Sequence, residues 1–193
     1  MTARGLAEPL LVIRDGCPGL KRAVNEVFPN ALKQHCQVHK MRNILSKVPR
    51  AFLPEMKRLI QQVFLSPSYE AGMMRGRKLI ERFRARYPSA MESLQAALPE
   101  TLSYLKFPKE HAKFIRTTNL LERTWEEARR RTKVIPRFPT ETSCLKLVYA
   151  TLIDAAKRWK GIKITPKNLR ELDRIRAQIF PKGKERLSEK LAA

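Results

Sequence analysis

The chain has 193 residues and a formal net charge of +22, because 40 Lys and Arg outnumber 18 Asp and Glu. Its 43% hydrophobic content is typical of a globular protein, and so large a charge excess predicts a polyanionic partner, with nucleic acid first and an acidic membrane surface second. The aliphatic run at residues 10–13 is far shorter than the ~20 residues that span a bilayer, and three scattered cysteines make no disulfide framework, so we expect a cytoplasmic protein outside the membrane.

The first 48 residues predict alternating strands and helices. Apolar residues 10–13, stopped by an Asp-Gly pair, indicate a buried strand that ends in a turn. Helical spacing follows over residues 18–28, then a second short strand over 31–36 and a helix over 38–48. This order is typical of a layered α/β core, although two strands alone do not usually make a stable sheet.

The rest of the chain predicts helices and no convincing strand. Ser66 and Pro67 have the residue types of an N-cap and a first helical residue. Ser89 and Glu92 have capping-box spacing, and Pro99 is expected to break the segment that follows.

The C-terminal third predicts two longer helices and a tail. The segment Thr117-Thr118-Asn119 is expected to cap a helix over residues 120–133, with Asn119 as the N-cap residue, and an apolar stripe predicts another helix over 142–159. The tail after Gly161 is charged and helix-prone, and its Lys- and Glu-rich end is expected to fray.

Two carboxylates stand out as candidate catalytic or metal-binding residues. Asp15 follows the first predicted strand, at the edge where open α/β sheets place functional side chains, and its oxygens suit Mg²⁺. The alternative for Asp15 is a turn-forming Asp-Gly pair. Glu122 lies in the first turn of its predicted helix, where it could instead bond the cap amide of Asn119.

Cys36 and His39 have the spacing of half a zinc site. A structural zinc ion takes four ligands, and no second pair with matching spacing follows in the sequence. Cys17 and His35 would both have to be recruited to complete the set. The pattern therefore favours a structural pair beside the sheet over a zinc centre.

The densest basic run lies at the end of the helix that carries Glu122. Five cations fall within nine residues, which is more than a helix C-terminus needs to complement its dipole. With a tryptophan nearby to stack on a base or sugar, the run predicts phosphate contacts with DNA. The candidate DNA-binding residues are Arg123, Trp125, Arg129, Arg130, Arg131, Lys133 and Arg137.

Taken together and in order, these segments resemble the Mutator-type transposases of bacterial insertion sequences. The likeness covers roughly residues 5–160 and rests chiefly on two dense blocks. The residues that carry it are Asp15-Gly16, GLKRAV at 19–24, FPNA at 28–31, QHCQVHKMRN at 34–43, TTNLLER at 117–123, Arg131-Thr132-Lys133, Phe138-Pro139, Leu147-Val148 and Trp159.

The resemblance implies a ribonuclease-H-like fold whose DDE triad cleaves DNA and transfers strands with Mg²⁺ or Mn²⁺. Asp15 matches the family's second aspartate and Glu122 its glutamate, so both are expected to be catalytic metal ligands. Cys36 and His39 match a C-x-x-H pair beside the active site, and Asn119 would support that site structurally. The implied partners are transposon ends and target DNA, met in the nucleoid by a homo-oligomer.

The resemblance also implies a domain organisation. Residues 1–48 would be a partial ribonuclease-H-like segment, 49–112 an all-helical insertion, 113–160 the glutamate helix with the basic run and a closing helix, and 161–193 a basic tail. The family's first aspartate is expected upstream of Asp15, where the fourteen preceding residues contain none. This predicts a truncated transposase that is inactive alone.

Two other interpretations remain open on the sequence. One is a non-catalytic basic fragment that binds DNA or mixes with other copies. The other is a basic helical protein associated with RNA or ribosomes, which accounts for the charge but not for the two ordered blocks.

Overall fold

The computed structural model describes residues 5–181. Within that range the chain is mostly helical with one small parallel sheet, which confirms the expected α/β, mostly helical class. The elements are β1 Leu11–Arg14, α1 Pro18–Val27, β2 Leu32–His35, α2 Gln37–Leu45, α3 Leu53–Phe64, α4 Tyr69–Phe83, α5 Pro88–Thr101, α6 Ala112–Ile115, α7 Asn119–Thr132, α8 Glu141–Lys157 and α9 Pro166–Ile179, with short 3-10 helices at Arg50–Phe52, Ser103–Lys106 and Lys109–His111.

The sheet consists of β1 and β2, joined through α1. The strands are parallel, with Leu11 opposite Leu32 and Arg14 opposite His35. One further backbone bond, from the Cys36 amide to the Arg14 carbonyl at 2.8 Å, continues the pairing past the last strand residue. The residues that follow the two strands, Asp15 and Cys36, therefore leave the sheet side by side at its carboxyl edge.

Helices α2 to α5 form the densely packed part of the molecule, which we call the helical body. Its core is a cluster of fifteen buried residues between positions 44 and 102. Met56 and Ile60 on α3 and Met91 and Leu94 on α5 are completely buried. Their helical spacing turns one apolar face of each helix inward.

Two glycines let α4 and α5 approach closely. A Cβ at Gly72 would lie 2.9 Å from the Leu102 side chain, and one at Gly76 would lie 2.6 Å from Leu98. Because both distances are below van der Waals contact, a side chain at either glycine would require the facing leucine to move.

Buried polar side chains join the sheet to the helical body. Arg14, only 2% exposed, pairs with Glu100 of α5 at 2.6 Å. The Gln34 side chain donates to the Thr101 carbonyl at 2.9 Å and accepts from the Tyr104 amide at 2.8 Å. These bonds satisfy polar groups that would be expensive to bury alone, and they fix the sheet against the end of α5.

Helices α7 and α8 contact each other and are packed more thinly. Their buried residues are few and small, namely Thr124, Ala128, Thr151 and Ala155. Large apolar side chains on α8 face solvent instead, at Leu145, Tyr149 and Ile153. The apolar stripe predicted for this helix is therefore real, but within residues 5–181 it is not covered.

Two predicted helix starts are wrong. Helix α4 is capped by Ser68, whose hydroxyl accepts from the Ala71 amide at 3.2 Å, because the hydroxyl of Ser66 is bonded to the preceding helix. Helix α5 begins at Pro88, whose ring fixes the backbone for a first helical position, so Ser89 lies inside the helix.

The predicted break at Pro99 is also wrong. Pro99 lies within the last turn of α5. Leu98 and Leu102 on either side of it are buried, and their burial outweighs the hydrogen bond that proline cannot make.

The C-terminal elements follow the expected course as far as they are described. Helix α8 covers most of the predicted 142–159, and α9 confirms a helix in the charged tail. The Lys- and Glu-rich end expected to fray lies outside the described residues. Among residues 5–181, none of the helices combines the length and apolar character required to traverse a bilayer.

Candidate active site

Asp15 lies at the carboxyl edge of the sheet, directly after β1. Its Oδ1 atom accepts a hydrogen bond from the Cys17 amide at 3.0 Å, which is the geometry of an Asp-led turn. The side chain is half-buried, so one carboxylate oxygen holds the turn while the group stays accessible. Asp15 can therefore form the turn after β1 and still offer an oxygen to a metal ion.

The N-terminus of α7 is attached to the same edge by polar contacts. The Gln37 amide donates to the Arg116 carbonyl at 3.1 Å. The Thr118 hydroxyl and amide approach the Cys36 Sγ atom at 3.3 and 3.4 Å. The same Thr118 hydroxyl bonds the carboxylate of Glu122, so Thr118 connects the sheet edge to the candidate glutamate.

Cys36, His39 and Glu122 converge on one point. Their donor atoms all lie within 4.8 Å of one another, a spacing that could hold a metal ion. The His39 Nδ1 atom is 3.8 Å from Glu122 Oε1 and is buried without a hydrogen-bond partner among the described residues. The sequence predicted Cys36 and His39 as a pair, and the structure adds the Glu122 carboxylate of α7 to them. Asp15 is not a member of this group.

His35, the last residue of β2, lies beside the turn that carries Asp15. Its burial, followed by the positive charges of Lys40 and Arg14, lowers the pKa of the imidazole from 6.5 to about 4. A Cβ at Gly16 would lie 3.3 Å from the His35 ring, so the glycine allows the turn after Asp15 to pass close to it. At neutral pH the edge therefore carries an uncharged imidazole here.

The predicted capping role of Asn119 is wrong. Thr118 is the N-cap of α7, and its carbonyl accepts the first helical bond from the Glu122 amide at 3.0 Å. Asn119 is the first residue of the helix, so it cannot form a capping box with Glu122. The Glu122 carboxylate bonds the Thr118 hydroxyl instead, which keeps it beside Cys36.

The predicted basic run ends α7 and faces solvent. Arg130 and Arg131 bond Glu127 at 3.0 and 3.1 Å, and the bond from Arg130 contributes most to holding the pKa of Glu127 below its ordinary value. Trp125 is 47% exposed and does not belong to a core. The remaining members of the run, all exposed, are Arg129, Lys133 and Arg137.

A groove of about 1010 Å³ opens beside Glu122, between α2, α3, the start of α7 and the end of α8. No carboxylate lines it in the described part of the chain, and its floor is largely apolar. We call it the cationic groove. The Lys and Arg side chains that line it are Arg42, Lys57, Lys113, Arg116, Arg123, Arg158 and Lys160.

Sequence reasoning found one of these seven cations, Arg123. The other six are scattered over more than a hundred positions, and no local pattern marks them as neighbours. Thr118 was predicted as part of the capping segment, but its hydroxyl bond to the Glu122 carboxylate was not predicted.

Comparison with known proteins settles the family. The sequence model described as "Transposase, Mutator family" matches residues 1–161. The chain belongs to the Mutator family of transposases. This confirms the resemblance drawn from the two sequence blocks.

Several family members are similar over most of this chain. The transposase for insertion sequence element IST2 of Acidithiobacillus ferrooxidans is 36% identical over 84% of this chain and 55% of its own length. That for IS6120 of Mycolicibacterium smegmatis is 32% identical over 82% and 49%, and that for IS256 in transposon Tn4001 of Staphylococcus aureus is 32% identical over 81% and 40%. The chain thus spans about half the length of these relatives, or less.

Proposed function

We propose that this chain contributes two catalytic carboxylates, Asp15 and Glu122, to the DNA cleavage and strand transfer of an insertion-sequence transposase. The observation that carries the proposal is their common position. Asp15 adjoins Cys36 across the strand pair, and Glu122, which lies far along the chain on α7, reaches the same cysteine. Family membership supplies the reaction class.

The proposed fold is part of a ribonuclease-H-like core. The parallel β1-α1-β2 unit with an acid at its carboxyl edge agrees with such a core, in which functional side chains follow the strands. Helices α3 to α5 of the helical body lie inside the proposed insertion at residues 49–112, which would then separate the sheet from the glutamate helix along the chain.

Mg²⁺ or Mn²⁺ is the proposed cofactor, held by the oxygens of Asp15 and Glu122. The donor chemistry fits, since hard cations take carboxylate oxygens and Glu122 is 40% exposed, so an ion can reach it. When bound, such an ion activates the attacking oxygen and stabilises the leaving oxygen of a phosphodiester.

The protein's own contacts would orient this site. The Cys17 amide holds one oxygen of Asp15, and the Thr118 hydroxyl holds one oxygen of Glu122. Within residues 5–181 the second oxygen of each carboxylate makes no hydrogen bond. His39, 3.8 Å from Glu122, limits where that carboxylate can turn. Positioning of this kind is the protein's usual contribution to phosphoryl transfer.

Manganese binding tests the assignment directly. We expect Mn²⁺ titrated into the purified chain to be bound, as followed by the loss of its free electron paramagnetic resonance signal. Asp15→Asn and Glu122→Gln should each weaken binding at least about tenfold, as even the loss of an indirect partner does. Asp154→Asn, which removes an exposed carboxylate on α8, is the matched control. Unchanged binding in both test variants would refute the assignment.

DNA cleavage tests the activity itself. With two carboxylates assigned where the family chemistry uses three, we expect the purified chain with Mg²⁺ to leave end-labelled transposon DNA intact. Specific cutting that disappears in Glu122→Gln would show that the site is complete, and it would refute the proposed inactivity of this chain alone.

A non-catalytic DNA-binding role is the second candidate, and the cationic groove favours it. Binding by counterion release weakens with salt, with a log–log slope of about −0.9 per phosphate neutralised on duplex DNA. We expect such a slope for this chain, whereas an affinity independent of salt would exclude DNA binding of this kind.

A further inference from the structure

The cationic groove has an unusual combination of charge and shape. Seven Lys and Arg side chains converge on it and no acid does, within residues 5–181. Arg158 is the one member of the seven that pairs with a carboxylate in this range, through Asp154 at 3.0 Å. By contrast, the exposed run at the end of α7 shares Glu127 between two of its arginines. Concentrated, uncompensated positive charge in a concave site attracts a polyanion.

The floor of the groove is apolar and includes three aromatic side chains. Phe64 is buried at its base, Phe114 is half-buried, and Trp159 is 45% exposed at the end of α8. A duplex presents phosphates and base edges to a protein and keeps the faces of its bases stacked. An apolar floor with accessible rings suits bases whose faces are free.

We propose that the cationic groove binds an unpaired stretch of DNA, with a base stacked on Trp159 and the backbone held by the surrounding cations. The combination of a positive groove and aromatic platforms is how proteins bind single strands without reading their sequence. The volume of about 1010 Å³ accommodates a ligand at the upper end of the usual range of ~300–1,000 Å³ for small-molecule pockets.

The groove leads to the candidate active site. Asn119 and Arg123, which line it, occupy the same turn of α7 as Glu122, and Gln37 and Val38 line it directly after Cys36. A strand in the groove would therefore pass beside Glu122. This placement rests on the proposed function, in which Glu122 acts on a DNA strand, whereas binding in the groove itself does not require catalysis.

Tryptophan fluorescence tests the contact, since the chain has only two tryptophans. Trp159 lines the groove and Trp125, equally exposed, does not. In Trp125→Phe, which retains Trp159, we expect oligo(dT) of about 20 nucleotides to quench the fluorescence. In Trp159→Phe, which retains Trp125, we expect weaker quenching, because Trp125 lies outside the groove. Equal quenching in both variants, or quenching of Trp125 alone, would overturn the proposal.

Affinity for labelled oligonucleotides tests the stacking. Trp159→Ala should weaken binding of a fluorescein-labelled single strand by about 5- to 150-fold, the range for loss of one stacked base. Tyr149→Ala, which removes an exposed aromatic side chain of α8 outside the groove, is the control and should change it less than about twofold. A duplex of the same sequence should bind wild type more weakly than the single strand does. Preference for the duplex would overturn the assignment to an unpaired strand.

The salt dependence tests the cations. Each phosphate contact on a single strand contributes about −0.7 to the log–log slope, so Arg42→Ala combined with Lys57→Ala should make the slope shallower by about 1.4. Arg77→Ala with Lys78→Ala removes one exposed Arg and one exposed Lys from α4, outside the groove, and should leave the slope unchanged. If both double variants gave the same log–log slope of affinity against salt, the groove cations would not be the residues that contact the phosphates.

The two proposals fail separately. If Trp159→Ala loses single-strand binding while Mn²⁺ binding is retained, the groove and the metal site are independent parts of one surface. If Asp15→Asn and Glu122→Gln leave Mn²⁺ binding unchanged but the tryptophan results hold, the groove stands and the catalytic assignment fails.

Discussion

The helical body and the α7–α8 pair both contribute to the candidate site, but they are held together in different ways. In the helical body, long apolar side chains such as Met56 and Met91 are completely buried. In α7 and α8 the buried residues are alanines and threonines, while Leu145 and Tyr149 stay exposed. Since burial of apolar area is the main stabilising term, most of the folding free energy lies in the helical body.

This difference has a consequence for the candidate site. Cys36 and His39 lie on the well-packed side, whereas Glu122 is held there by the polar contacts of Thr118 and Arg116. The glutamate is thus positioned by a few hydrogen bonds and not by a core. Four measurements can distinguish a region held by its core from one held by hydrogen bonds.

The largest effect is expected in the core of the helical body. Met91→Ala removes a completely buried side chain and should lower the free energy of unfolding by about 2–5 kcal/mol, because it leaves a cavity. Urea denaturation followed by circular dichroism measures this. A loss below about 1 kcal/mol would show that the core is looser than its burial indicates.

The second effect is a loss of stability at low pH, caused by the buried His35 imidazole where the sheet meets the helical body. His35 has a folded pKa of about 4 against 6.5 unfolded, so the unfolded chain takes up its proton first as pH falls. The stability due to the uncharged imidazole is complete above pH 6.5 and is lost as pH falls toward 4, by at most about 3 kcal/mol.

The measurement is the slope of unfolding free energy against pH in the presence of a chelator. The groups that face His35 are Lys40, Arg14, Asp15 and His39, and they remain in the variant His35→Gln. Between pH 6.5 and 4, the unfolding free energy of that variant should fall less steeply with pH than that of wild type. This holds even if the substitution changes stability at neutral pH. Identical slopes would contradict the buried, uncharged state.

A smaller effect is expected where α7 joins the sheet edge. Thr118→Val keeps the volume but removes the hydroxyl bonded to Cys36 and Glu122, and should cost about 1 kcal/mol. Amide hydrogen exchange in the first turn of α7 should accelerate, while exchange in α5 stays the same. Thr117→Val is the control, because the Thr117 hydroxyl makes no hydrogen bond within residues 5–181. Equal effects of the two changes would show that the Thr118 contacts do not position the helix.

The smallest effect is expected on the exposed face of α8. Leu145→Ala truncates a side chain that is 59% exposed and should change the unfolding free energy by no more than about 0.5 kcal/mol. The same urea assay measures it. A loss approaching that of Met91→Ala would mean that this face is covered in solution, and it would remove the contrast between the two regions.

Much of the fold could be predicted because it depends on local patterns. The short apolar run before Asp15 and the spacing of Met56 and Ile60 are visible in a few neighbouring residues, and both strands were found. Helix starts were less predictable. Ser66 and Ser68 are both good caps, and the choice between them depends on a hydrogen bond to the preceding helix.

By itself, the sequence determined the charge, the order of strands and helices, the family blocks, and Asp15 and Glu122 as candidate carboxylates. The position of Glu122 beside Cys36 and His39, and its bond to Thr118, became visible in the folded chain. Folding also brings cations that are spread from Arg42 to Lys160 into one groove. The physical reason is that periodicity reports which face of an element is apolar, whereas neighbours distant in sequence are set by how those faces pack.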